Sequence, residues 1–155
     1  MRMLQRRLMM KKFIMMLLVC IITVGYAVST HAADWQWVTS TDTNTFSFDK
    51  ESIRKTTTGK YAVWTKNEYT ESEAIRTSDE FMLAKPLAYV LSRIEFDYKN
   101  KSMGFQSEAY YAKDGSVLYN HTNKYYDLAP IIPDTIAECI FYKTFEEYQR
   151  KYGKV

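Results

Sequence analysis

The sequence predicts an α+β domain, an antiparallel β-sheet meander of about six strands packed with a C-terminal α-helix. Three observations carry this expectation. Polar and apolar residues alternate along residues 45–49 and 88–98, the period of a half-buried strand. Asp114-Gly115 lies between apolar flanks and reads as a two-residue hairpin turn. Ile136, Ala137, Ile140, Phe141, Phe145, Tyr148 and Tyr152 recur at helical spacing and form one apolar stripe.

In chain order, residues 35–39 (WQWVT) read as a first strand and residues 45–49 as a second. Residues 49–54 read as a turn or a single helical turn. Residues 56–59 form a loop ending on Gly59, a residue free to take positive φ. Residues 60–69 are the strongest strand signal of the first half. Residues 70–86 are polar and read as a long loop with a helical turn near residues 78–83. Residues 88–98 form a long strand. Its period of two sends Val90, Ser92, Ile94, Phe96 and Tyr98 to the core and Arg93, Glu95 and Asp97 to water. Residues 99–102 make a turn, residues 103–112 the next strand, and residues 117–121 the return. Pro133 ends that region. Asp134 or Thr135 caps the final helix, with Glu138 placed as in a capping box and Gly153 as the stop. An isolated helix of this length is marginal in water, so its stripe must pack on the sheet.

Residues 1–33 stand apart. Arg2, Arg6, Arg7, Lys11 and Lys12 precede an apolar run that starts at Phe13, and small residues follow to Ala33. That order reads as a cleavable secretion signal, cut after Ala32 or Ala33, with Met1 or Met9 as the start. A membrane anchor is the alternative, but the run is only about a dozen residues where a spanning helix needs about 20. Cys20 lies inside the run after Val19, whereas a lipidation cysteine normally follows a small residue. The expected organisation is a signal peptide over residues 1–33 and one domain over residues 34–155.

Five of the 21 basic residues and none of the 18 acidic ones lie in residues 1–33. Residues 34–155 therefore carry 16 basic against 18 acidic residues, a net charge of −2 rather than the +3 of the whole chain. No nucleic-acid footprint or polybasic membrane patch remains. Cys139 is then the only cysteine, so no internal disulfide forms and the domain must hold itself together by burial. Beside Ile136 and Ile140, Cys139 reads as a small core residue rather than a reactive thiol. No internal repeat or low-complexity tract is visible.

The sequence offers little for catalysis, and no cofactor, metal or catalytic set is expected. His121 is the one histidine beyond the leader, too few for a multi-histidine metal site. No nucleophile elbow or phosphate-cradling glycine motif occurs. Glu95 and Asp97 share a strand face, where they read as a solvated charge row rather than an acid–base pair. Asn120-His-Thr fits a glycosylation acceptor pattern.

The thirteen tyrosines are the most unusual feature. Tyr110-Tyr111 and Tyr125-Tyr126 are adjacent pairs, each sending one ring to either side of an extended backbone. Ordinary strand formation explains such residues. They are also the candidate protein-binding residues, because Tyr and Trp concentrate at interface hot spots.

The ordered pieces Phe48-Asp-Lys-Glu-Ser-Ile53, Tyr61-Ala-Val-Trp-Thr-Lys66, Glu95-Phe-Asp-Tyr-Lys-Asn100, Tyr110-Tyr-Ala-Lys-Asp-Gly-Ser-Val-Leu118 and Pro130-Ile-Ile-Pro-Asp-Thr-Ile-Ala-Glu138 resemble the bacterial surface-adhesin protein E family. The resemblance spans nearly all of residues 34–155. It implies an exported sheet-and-helix domain and, as in the family's namesake, adhesion to host extracellular-matrix or serum proteins. Family members often carry a cysteine where Tyr98 stands, paired with one near the C-terminus. Tyr98 removes that partner, and the segment after Cys139 continues into a charged and aromatic helix. The expected function is thus a non-enzymatic exported binding domain with a host protein partner, at the cell surface, in the periplasm or secreted. An envelope accessory protein with a bacterial partner is the alternative, and a small hydrolase around His121 is a third. Open sheet edges make a homodimer a further expectation.

Overall fold

A computed structural model describes residues 32–153. The expected signal peptide falls almost wholly on residues 1–31, outside the described residues. Eight strands form one antiparallel sheet: β1 (Trp35–Ser40), β2 (Asn44–Asp49), β3 (Arg54–Lys55), β4 (Tyr61–Tyr69), β5 (Leu87–Asp97), β6 (Ser102–Ala112), β7 (Val117–Thr122) and β8 (Ala129–Pro130). Six follow the meander order β1-β2-β4-β5-β6-β7, while β3 pairs with β4 and β8 with β6. The helices are α1 (Glu71–Glu80) and α2 (Ile136–Tyr152). The expected α+β architecture is present, with two two-residue strands beyond the expected set.

Local chemistry fixes the joints. After β2 the chain makes a single 3-10 turn at Lys50–Ser52, where the Asp49 carboxylate accepts from the Glu51 backbone N–H at 3.0 Å. Ser52 Oγ then accepts from the Trp64 backbone N–H at 2.8 Å, tying the turn to β4. Between β5 and β6, Asp97 accepts from the backbone N–H groups of Lys99 and Asn100 and from the Asn100 side chain. Those bonds, the Asn100 N–H first, hold the Asp97 carboxyl below its ordinary range.

The hairpin at Asp114-Gly115 differs from the two-residue turn expected. Only Gly115 takes positive φ, +80°, whereas a type I′ turn needs it at both central positions. The chain instead uses a three-residue connection. The Gly115 N–H bonds the Ala112 carbonyl, and Ala112 pairs with Ser116.

Residues 70–86 also depart from expectation, because the loop contains the ten-residue α1. Its buried positions are Ala74, Thr77 and Ser78, so its inward stripe is built from small residues that an apolar periodicity does not reveal. Ser78 Oγ donates to the Ala74 carbonyl and accepts from the Leu87 N–H, each at 2.6 Å. This bond attaches α1 to the start of β5. On the outer side, Arg76 bridges Glu73 and Glu80 one turn away on each side.

One sheet face is buried under α2. Val38, Phe48, Tyr61, Val63, Ile94 and Phe96 meet Ile140, Phe141 and Tyr148 of the helix. Burying each such large apolar side chain contributes about 1.5–3 kcal/mol. Tyr98 extends this contact, its ring 4.5 Å from Phe145 and 4.7 Å from Tyr61. Its hydroxyl donates to Thr144 Oγ1 at 3.1 Å, and Thr144, fully buried, donates to the Phe141 carbonyl at 3.0 Å. Burial pushes the Tyr98 phenol well above its ordinary pKa.

The start of α2 matches the capping expectation with one shift. Thr135 Oγ1 accepts from the Glu138 N–H at 3.3 Å, but the Glu138 carboxylate reaches one residue further back, to the Asp134 N–H at 2.8 Å. Gly153, at φ +85°, ends the helix.

After β7 the chain returns as a strap along the far side of β6. Gly104 is where the strap touches. A methyl group there would stand 2.7 Å from Tyr126 Cδ2 and 2.9 Å from the Asp127 carbonyl oxygen.

Two outcomes test these contacts. Gly104→Ala should cost about 1–3 kcal/mol through overpacking against the strap. An unchanged urea midpoint would contradict that contact. Asp97 has a folded pKa below its unfolded value. Its stabilisation is therefore present above the ordinary carboxylate pKa of about 3.9 and lost as pH falls through the lower folded value. In urea titrations across acidic pH, the stability gap between wild type and Asp97→Asn should narrow downward from about pH 4. A gap independent of pH would contradict the turn assignment.

Candidate protein-binding face

The sheet face turned away from α2 carries the side chains of alternate residues. Register places Trp64 of β4 opposite Arg93 of β5, Lys66 opposite Leu91, and Glu68 opposite Tyr89. On β6, Tyr111 pairs with Tyr89. Trp35 of β1 pairs with Asp49 of β2, on the same side.

These residues form a ladder of rings and cations. Lys66 Nζ lies 5.0 Å from the Trp35 ring centre and 5.9 Å from that of Tyr89. Tyr89 and Tyr111 stack 4.8 Å apart and nearly parallel. The Arg93 guanidinium lies 5.7 Å from the Trp64 ring. Trp35, Tyr89 and Trp64 each hold a half-buried cation against the π-face, an attraction of about 0.5–2 kcal/mol. Lys66 also bridges Glu68 at 3.1 Å. Burial, followed by repulsion from nearby Arg54, draws the Arg93 guanidinium below its ordinary pKa. A guanidinium remains cationic throughout the usual pH range.

The four tyrosines singled out from the sequence do not share one patch. Tyr111 is a rung of the ladder. Tyr110 faces the other side, its ring edge-on to Tyr119 at 5.6 Å. Tyr125 is 95% exposed, outside the ladder. Tyr126 is an anchor, its hydroxyl donating to Glu95 at 2.6 Å and accepting from Gln106 at 2.6 Å. The sequence reading missed Trp35, Trp64, Lys66, Tyr89 and Arg93 as partners. Period-two alternation of Trp64, Lys66, Tyr89 and Arg93 was the available signal, but only the strand register joins them.

Two other expectations are corrected. Glu95 was expected in water beside Asp97, yet it is buried because the strap folds Tyr126 over it and Thr58 reaches it at 3.4 Å. Asp97 is engaged by the neighbouring turn, so the two carboxylates form no acid–base pair. Cys139 was expected in the core, and it is exposed. Ile140, Thr144 and Tyr148 define the buried side of α2, and one residue of helix rotation before Ile140 turns Cys139 outward. His121 lies exposed on β7, 2.5 Å from Asn123 Oδ1. Among the described residues, no group of three or more His, Cys, Asp or Glu side chains could hold a metal ion. No described helix is long and apolar enough to cross a membrane.

A meander sheet with one face under a helix and the other bearing rings and cations is an α+β domain. The family model described as surface-adhesin protein E matches residues 35–144, from β1 into α2, and the chain belongs to that family. No curated protein and no solved structure matches the chain.

The exposed thiol gives a direct check. Native protein should react with a disulfide reagent such as DTNB at Cys139 without denaturant. A thiol silent until unfolding would return Cys139 to the core.

Proposed function

We propose that the domain is an exported, non-enzymatic surface adhesin that binds a host matrix or serum protein through the Trp35–Lys66–Tyr89–Tyr111 ladder and the adjoining Trp64–Arg93 pair. Membership of the surface-adhesin protein E family supports adhesion and a place at the cell surface. The single observation that carries the choice of face is the ladder itself. Its rings are already ordered against one another, so little side-chain entropy is lost on contact. The fitting partner is a protein surface bearing carboxylates, which would meet Lys66 and Arg93 with Arg54 close by. Aromatic and arginine anchors of this kind carry most of the energy in protein interfaces.

The test is saturable binding to immobilised matrix and serum proteins, followed by the paired change Tyr89→Ala and Tyr111→Ala. Hot-spot truncations cost about 2 kcal/mol or more. The double variant should therefore bind at least about thirtyfold more weakly while keeping its far-UV circular dichroism. Full affinity in a folded double variant would remove this face. No binding to any protein of a broad panel would remove the adhesin reading. Partners drawn only from the producing cell's own envelope would favour an accessory role.

A further inference from the structure

The sheet face under α2 is only partly covered. Beyond the first turn of the helix lies a cleft of about 250 Å³. That volume is below the ~300–1,000 Å³ typical of drug-sized sites, so the cleft suits a small group. It is graded in polarity. Ile94 and Met103 of the sheet, with Ile136 and Ile140 of α2, line its apolar end. Further along the strands stand Asn67, Tyr69, Glu108 and Tyr110.

The polar end is electronegative. Glu108 Oε1 accepts from Ser92 Oγ at 3.3 Å. Among the described residues, no lysine or arginine forms an ion pair with it. Lys66 contributes to the cleft wall, but its ammonium is turned to the opposite face, at Glu68, Trp35 and Tyr89. Glu73, the other carboxylate near Tyr69, is held by Arg76. His121 stands opposite Glu108 in register and bonds Asn123. Burial, and then the nearby Glu108 carboxylate, raises the Tyr110 phenol pKa, and Tyr69 is raised by burial and by Tyr110.

We propose that this cleft is a binding site for an alkylammonium group. The aliphatic chain lies at the Ile94–Met103–Ile136 end, and the cation lies between the Tyr69 and Tyr110 rings and the Glu108 carboxylate. The Glu108 carboxylate is half-buried, with Ser92 as its hydrogen-bond donor, and an ammonium ion beside it would add a charge-assisted hydrogen bond. Phenol rings add cation–π attraction at the same place. The inference goes beyond the adhesin reading and does not depend on it, because the cleft and the aromatic ladder occupy opposite faces of the sheet.

Three probes test it on the purified protein: n-pentylammonium, neutral 1-pentanol, and Nα-acetyl-lysine N-methylamide. Binding is followed by backbone amide chemical shifts. Pentylammonium should shift the amides around Tyr69, Glu108 and Tyr110 saturably, and at least about tenfold more tightly than pentanol. Lysine-derivative binding at the same amides would identify a partner's lysine side chain as a fitting source. Its failure beside pentylammonium binding would identify a free amine. Glu108→Gln should weaken pentylammonium at least about tenfold and leave pentanol unchanged. Equal binding of pentanol and pentylammonium to wild type, or shifts elsewhere, would overturn the proposal even if the variant failed to fold. Loss of matrix-protein binding in the ladder variant would leave this site untouched.

Discussion

The docking of α2 on the sheet through a cluster of aromatic rings is the contact on which the rest depends. Tyr98 sits at its centre, touching Tyr61 from β4 and Phe141 and Phe145 from the helix. Thr144 closes the cluster by pairing the Tyr98 hydroxyl inside it. A buried phenol without such a partner would be destabilising by about 1–3 kcal/mol. The family resemblance implies a disulfide at the Tyr98 position in other members. Here the free Cys139 points away, and ring packing with one hydrogen bond joins β5 to the C-terminal helix. Noncovalent contacts therefore do the joining.

The reach of α2 then decides what the sheet exposes. Its inward residues cover the Tyr61–Val63 end of β4 and the matching Ile94–Phe96 end of β5. At the Asn67–Tyr69 end of β4 the same face lies open as a polar cleft. α1 holds the start of β5 through Ser78, and on the face opposite α2 the strap covers Glu95 and Gly104. The rings and cations of that face pack on one another and remain half-exposed. Both surfaces available for recognition are thus the parts of one sheet that its own helices and strap leave uncovered.

Much of the architecture was legible because hydrophobic alternation and helical periodicity are short-range signals. The core face of β5 and the caps of α2 at Thr135 and Gly153 needed no knowledge of distant contacts. The features that escaped depend on chain segments meeting from afar. Glu95 reads as a surface carboxylate until Tyr126, far along the sequence, lies over it. α1 was hidden because its inward residues are Ala, Thr and Ser. The binding face was half legible. Tyr111 could be named from an adjacent pair, but its neighbours Tyr89, Lys66 and Trp35 follow from register across the sheet. Tyr126 had the same sequence signature as Tyr111 and serves as a structural anchor.

Native-state hydrogen exchange tests the central contact most directly. If ring packing makes α2 part of one cooperative unit with β4 and β5, amides in the middle of α2 should open with the same free energy and denaturant dependence as those of Val63 and Ile94. A helix that exchanges through a separate, lower-energy opening while those strands stay protected would contradict the account.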